Sequence, residues 1–450
     1  LHLTPGTREQ PHPSEVKLFT GTLSPMVWAA RASPHYVAAV RSRLIALTIV
    51  AAVTIAACGS EDDTAESAPT TEAATETTDV AAETTDAPEE TTPETTGAES
   101  QTTEPAVAEL PAFEPGPYDV GVQTITINAD SDRPLTVEVW FPVTDGTTAP
   151  AYEYTLLPGA FYESPFAIDA DPAAIATDGP FPLVVFSHGS PAVRILYTNF
   201  AEAIASAGYV VAAPDHTGNT VFDLFAGTTT DRETNAFNRP LDVQAVITAM
   251  TDPASTETAA FVGSVDPDAI AVAGQSAGGY TAYATVAGHT NEIGTVERDE
   301  RVDAIITLAP SSGGISDDEF ATIRQPALVI AGTADDTTPI EPNVTRPWEL
   351  SASSPHHRVD LIDGEHQSFT DFCEFAAFFP TMETPPPDLI VDTVDDFGAE
   401  SCAPDVMPSE RAHDLTNTFT VAFLDSVFRD GEMIDPDTTK IPDDVIFMTK

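Results

Sequence analysis

Lysine is almost missing: Lys17, Lys440 and Lys450 are the whole complement of this 450-residue chain. Lys and Arg together number 18 against 71 Asp and Glu, for a formal net charge of −53. Without a basic stripe to neutralise phosphates, nucleic acid is excluded as a partner. Cysteine is scarce, at three residues, and no grouping of His, Cys and Asp has the spacing of a metal centre, so no metal is implied. Long hydrophobic runs are also lacking. Leu44–Ala57 spans only fourteen residues, short of what a membrane-crossing helix needs.

What is there divides the chain. Residues 1–39 contain nothing resembling a leader and read as a non-native or upstream stretch, with Met26 or Val40 as alternative starts. Residues 40–58 fit a signal peptide: Arg41-Ser42-Arg43, then the short apolar run, then small residues before a cut. Ile55-Ala56-Ala57-Cys58 resembles the bacterial lipobox, in which the cysteine is lipidated; the alternative is an ordinary cleavage site beside an incidental cysteine. Residues 59–112 are acidic and rich in Thr, Ala and Pro. Within them Ser60–Leu110 carries fifteen Asp and Glu and no Lys or Arg, so it lacks the apolar surface that would offset ordering and reads as a disordered tether. Residues 113–450 read as the folded domain, with a candidate lid at about 370–410. The last two cysteines, Cys373 and Cys402, form an even pair in an exported domain, and a disulfide is expected there, against two separate buried thiols.

Within the domain, strand-like and helix-like patterns alternate. Val120–Ala129 and Leu135–Phe141 read as a hairpin, and Val143–Pro182 as a long loop without periodicity. Strands follow at Leu183–Phe186, Tyr209–Ala213, Ala269–Ala273, Val302–Leu308, Ala327–Ala331 and, as the last, Arg358–Ile362. Helices are expected at Ile195–Ala207, Leu241–Met250, Asp317–Ile323 and Ala412–Phe428. Such alternation predicts an α/β fold: a mostly parallel central sheet with helices on both faces.

Ala269–Ala284 carries the chemistry. An apolar run reaches Gly274-Gln275-Ser276-Ala277-Gly278, and a small-residue helix follows, which is G-x-S-x-G between strand and helix. Glycines at 274 and 278 keep side chains away from a sharp turn that exposes the Ser276 hydroxyl. A serine needs a base, and the base needs a partner that fixes its tautomer. Downstream, Ala327–Ala331 leads into Asp335-Asp336, and Arg358–Ile362 leads into His366. Serine, aspartate, histidine is the chain order of α/β-hydrolases. Asp335 is preferred as the acid for its position four residues before Pro339, and Asp336 stays open. The oxyanion donors are expected at the Ala277 N–H and at Ser190, because Pro191 has none. His188 reads as structural, His216 as a structural partner of Asp215 with a place on the pocket wall as the alternative, and His356-His357 as exposed turn residues.

Three stretches resemble a family: VVFSHGSPAVRILYTNFAEAIASAGYVVAAPDH, GQSAGG and GEHQSFTDF are similar to the platelet-activating factor acetylhydrolases and their bacterial relatives. The likeness spans roughly Pro115–Phe372, its most specific pieces being His188-Gly189 with Arg194 and Tyr197, and His366–Phe372. It implies an α/β-hydrolase fold and cofactor-free hydrolysis of carboxylic esters, small-molecule or lipid. Ser276, Asp335 and His366 would form the triad and Ser190 and Ala277 the oxyanion donors. A more distant similarity is to dienelactone hydrolases, whose nucleophile is cysteine, and to cutinase-like polyester hydrolases. The chain departs from the lipid-hydrolysing relatives at Ser190-Pro191, where they tend to have Leu-Gly, and in about eighty residues beyond His366. Rival readings are a polyester hydrolase or peptidase with the same triad, or a catalytically silent surface lipoprotein.

The lipobox makes the expected location extracytoplasmic, anchored to a bacterial membrane through lipid on Cys58 or secreted. The full chain expressed in a bacterium should take up a fatty-acid label, and Cys58→Ser should lose both the label and the membrane fraction. Equal behaviour of the two proteins would mean ordinary cleavage.

Overall fold

The computed structural model describes residues 108–157, 160–382 and 386–450. The upstream stretch, the signal peptide, Cys58 and nearly all of the tether lie outside them. Ala108–Glu109, at the tether's expected end, instead pair in parallel with Thr439–Lys440, so ordered chain begins before residue 113.

Counting the strands of the main sheet, β1 is Asp119–Ile127, β2 Leu135–Val143, β3 Ala151–Leu157 and β4 Ala160–Ile168. Then come β5 Phe181–Ser187, β6 Val210–Pro214, β7 Val265–Gln275, β8 Ala304–Leu308, β9 Ala327–Gly332, β10 His356–Leu361 and β11 Val445–Thr449. Their spatial order is β11-β10-β9-β8-β7-β5-β6-β2-β1-β4-β3. The six strands from β10 to β6 are parallel, and β11 closes one edge antiparallel to β10. The central strands read as near-continuous apolar runs because both faces are covered.

The helices include α1 Thr198–Ser206, α2 Val221–Ala226, α3 Arg232–Thr251, α4 Ala277–Ala287, α5 Phe372–Phe378, α6 Asp388–Gly398 and α7 Ser409–Phe428. Alternate strand residues serve opposite cores. Val184 and Phe186 of β5 pack with Phe200 and Ile204 of α1 and with Leu415, Phe419 and Phe423 of α7, which recur every helical turn. Leu183 and Val185 face the other way, onto Val243 and Ile247 of α3 and Tyr283 and Val286 of α4.

Four expectations are corrected. Val143–Pro182 is not a loop but holds the hairpin β3–β4, whose Pro165 and broken register hid its period. The polar stretch before Asn238 contains α2, capped by Thr220 and Asp223, and the first turns of α3, which runs through Pro240. Arg358–Ile362 is not the last strand, since β11 follows it. His356 and His357 are not exposed. They lie on β10, under β11, with the His356 ring 4.4 Å from Trp348 and the His357 ring stacked on Phe447.

Burial first, then the nearby Lys450 ammonium and His357, hold the His356 imidazole neutral, its pKa lowered to about 3. The unfolded chain takes a proton near pH 6.5 that the folded chain refuses, so this residue's stabilising contribution is complete above pH 6.5. Between pH 6 and 3 it falls by up to about 1.4 kcal/mol per pH unit. His356→Phe, which cannot titrate, should therefore flatten the acid side of a urea-unfolding stability profile. The same slope in both proteins would contradict a neutral buried His356.

Candidate active site

The chain runs from β5 to β6 on one side and returns to β7 on the other. Strand order reverses there, and the carboxyl ends of β5 and β7 open a crevice where open α/β sheets bind ligands. Ser276 stands at that point, between Gln275, the last residue of β7, and Ala277, the first of α4. Its φ of 56° and ψ of −117° are conformations a side chain seldom adopts, held by the strand below and the helix ahead. Gly278 explains why the turn needs glycine. A Cβ on it would lie 1.8 Å from the Ser187 carbonyl oxygen, and one on Gly274 would meet Gly278 at 2.5 Å.

The carboxyl ends of β9 and β10 deliver the partners. His366 Nε2 is 3.0 Å from Ser276 Oγ, and its Nδ1 is 2.7 Å from Asp335 Oδ2. Thr338, unnoticed in the sequence, donates its hydroxyl to Asp335 Oδ2 at 2.8 Å, and its N–H meets Oδ1 at 2.7 Å. Burial alone would raise the Asp335 carboxyl. The hydrogen bond and charge of His366, with the Thr338 donors, hold it below the ordinary carboxylate range instead. Asp336, its neighbour, is exposed. Of the two open candidates, only Asp335 is within reach of the imidazole.

The Ala277 N–H begins α4 and so has no acceptor within the helix. Across the crevice, the loop after β5 has the Gly189 N–H committed to the Tyr197 hydroxyl at 2.9 Å. Among the described residues the Ser190 N–H meets no protein acceptor. Tyr197 in turn donates to Gln275 Oε1 at 3.0 Å, and Gln275 Nε2 donates to the His366 carbonyl at 3.1 Å. This relay ties the three segments of the site together.

His188 and His216 lie beneath. His216 pairs not with Asp215 but with Asp242, Nδ1 to Oδ2 at 2.8 Å, and its Nε2 meets Ser187 Oγ at 2.8 Å. Asp215 is taken by Arg194, which also binds Glu138. Burial, ahead of the nearby Arg239 charge, lowers both imidazoles well below their usual value. They act as neutral struts.

Beside Pro191 opens an apolar cleft with about 580 Å³ of empty space, its mouth included. Val193, Leu196 and Phe225 form one side, and Phe372, Phe375 and Phe397 of α5 and α6 the other. Cys373 and Cys402 are joined, S–S 2.07 Å, which ties α5 to the turn after α6. The region expected as a lid therefore forms a wall of this cleft. Asp371, Glu374 and His413 bring ligand-type atoms within 4.8 Å of one another, a grouping the sequence spacing did not suggest. Asp371 is already occupied by the Thr198 N–H at 2.5 Å and hydroxyl at 2.6 Å, which anchors the start of α5 to α1, while Glu374 faces His413 and accepts from Ser409 of α7.

The chain is similar to a ferulic acid esterase from Streptomyces cinnamoneus, with a TM-score of 0.55 and 24% identity, over 77% of this chain and 98% of that one. This is an α/β-hydrolase fold. Residues 163–236 also match the family model of platelet-activating factor acetylhydrolase, isoform II. That match covers β4 to the start of α3, including the loop after β5 and the Tyr197 tie.

Replacing Asp335 by Asn leaves shape but offers Nδ1 the wrong hydrogen-bonding pattern, and should cost about 10³–10⁴-fold in kcat. Asp336→Asn should stay near wild type. The reverse ranking would transfer the acid role to Asp336.

Proposed function

We propose that the chain is a serine carboxylic-ester hydrolase. The observation that carries this reading is the unbroken hydrogen-bonded line from Ser276 through His366 to Asp335 at a strained strand–helix turn. His366 Nε2 takes the Ser276 proton as Oγ attacks the ester carbonyl, and Asp335 fixes the tautomer and stabilises the imidazolium. The Ala277 and Ser190 N–H groups receive the oxyanion. Collapse expels the alcohol with the proton from His366. Water then attacks the acyl-enzyme, again deprotonated by His366, and the carboxylic acid leaves. The scheme needs no cofactor.

The cleft beside Pro191 supports an uncharged, largely apolar group on the substrate, since its walls are almost wholly Phe, Leu, Ile and Val. The acetylhydrolase family match and the esterase neighbour favour ester over peptide bonds. An extracytoplasmic site of action, tethered through Cys58, is part of the same proposal and is supported by the lipobox-like sequence and by the disulfide.

Full-length protein should hydrolyse p-nitrophenyl esters, and Ser276→Ala should lose turnover by several orders of magnitude, roughly 10⁶-fold in kcat. From acetate upward, kcat/KM should rise roughly fourfold per CH₂ while the cleft fills, since each buried CH₂ contributes about 0.8 kcal/mol. A folded protein without Ser276-dependent turnover on any ester would move the reading to a peptidase or a silent scaffold.

A further inference from the structure

Arg239, on α3, is 1% exposed and lies directly behind the loop that follows β5. Its donors all end on neutral acceptors. Nη2 donates to the His188 carbonyl and, at 3.1 Å, to Ser187 Oγ. Nη1 donates to Asn219 Oδ1 at 2.5 Å and to the Gly189 carbonyl at 3.4 Å, and Nε to Thr281 Oγ1 at 3.1 Å. Among the described residues it forms no ion pair with a carboxylate; Asp242, three residues along, is held by Arg133 and His216. Burial lowers its pKa to about 10, so the charge persists at neutral pH.

A buried cation with no carboxylate in hydrogen-bond reach is costly, and an apolar side chain of similar length would fill the space at less expense. What the charge does touch is informative. The Gly189 carbonyl, which His188 Nδ1 meets at 2.6 Å and Arg239 at 3.4 Å, shares one planar trans peptide with the Ser190 N–H, so holding the carbonyl between these two side chains aims the N–H the opposite way, into the crevice. A hydrogen bond to that carbonyl also strengthens the N–H as a donor. Asn219, gripped by Arg239, donates to Ser190 Oγ at 2.8 Å and steadies the same residue. Tyr197 holds the Gly189 N–H, so the loop is pinned on both sides.

We propose that Arg239 is a positioning residue for the ester hydrolysis, locking the oxyanion loop from behind while its charge, hydrogen-bonded to no carboxylate, adds to the field that stabilises the oxyanion. The proposal rests on the reading of Ser276 as nucleophile. Interactions of this kind act in the transition state and leave ground-state binding nearly untouched.

The test measures kcat, KM and the inhibition constant of an alkyl boronic acid, which forms a tetrahedral adduct on an active-site serine. The proteins are wild type, Arg239→Met, Arg239→Lys and Asn219→Ala, with Ser276→Ala alongside. Thermal melting reports folding. Arg239→Met should lower kcat about 10²-fold with KM little changed, and weaken the boronic acid in proportion. Arg239→Lys should recover part of the loss, and Asn219→Ala should show the same signature at about tenfold. If both Arg239 variants fail to fold, Asn219→Ala decides. Folded variants with wild-type kcat and boronate affinity, or with only KM raised, would overturn the proposal. No Ser276-dependent turnover in the wild type would instead sink the esterase reading, and this inference with it.

Discussion

The first turn of α4 approaches the end of β5 so closely that a single added carbon on Gly278 would strike the Ser187 carbonyl oxygen. Much of the site depends on that approach. It seats the helix N-terminus over the carboxyl edge of the sheet, and it forces Ser276 into a positive φ that exposes its hydroxyl. It also brings Ala277 alongside the loop that begins at His188, so two segments almost ninety residues apart share one crevice. The strain at Ser276 persists because β7, between β5 and β8, and α4, packed on the sheet, leave the turn nowhere to relax.

Beneath the crevice the molecule keeps an unusual amount of polar material out of water. His188, His216, Asp242 and Arg239 are all buried, and each is held by hydrogen bonds to the others or to the loop above. Such a network is unfavourable if any member is missing, and rigid when complete. Rigidity is what the loop after β5 requires, since its backbone donor must already point at the position where charge will appear. Above the crevice the physics is the opposite. The cleft walls are aromatic and aliphatic, and their placement comes from the Cys373–Cys402 bond and the Asp371 anchor to α1 rather than from a polar lattice.

Much of this was legible in the chain. The apolar runs of the parallel strands, the glycines around Ser276 and the order serine, aspartate, histidine are local signals, because each reports on sterics or chemistry within a few residues. The hairpin β3–β4 was hidden by Pro165 and an irregular register, and the start of α3 by Pro240. His356 and His357 read as exposed because nothing near them in sequence announces that β11, some ninety residues later, will cover them. Asp242 as the partner of His216, and Arg239 as the clamp on the oxyanion loop, left no local mark at all: one arginine on a helix of mixed polarity looks like any surface charge.

By itself, then, the sequence determined the alternation of strands and helices, the turn that presents Ser276 and the segments from which a base and an acid could come, since backbone sterics and side-chain period act over short distances. Choosing Asp335 over Asp336 took the packed structure, because both precede the same turn and only the fold decides which one faces the His366 ring. Burial and long-range charge likewise decided which polar groups lie under the oxyanion loop and which helices wall the cleft. Those quantities depend on what the rest of the chain brings near, and they exist only after the sheet has closed around them.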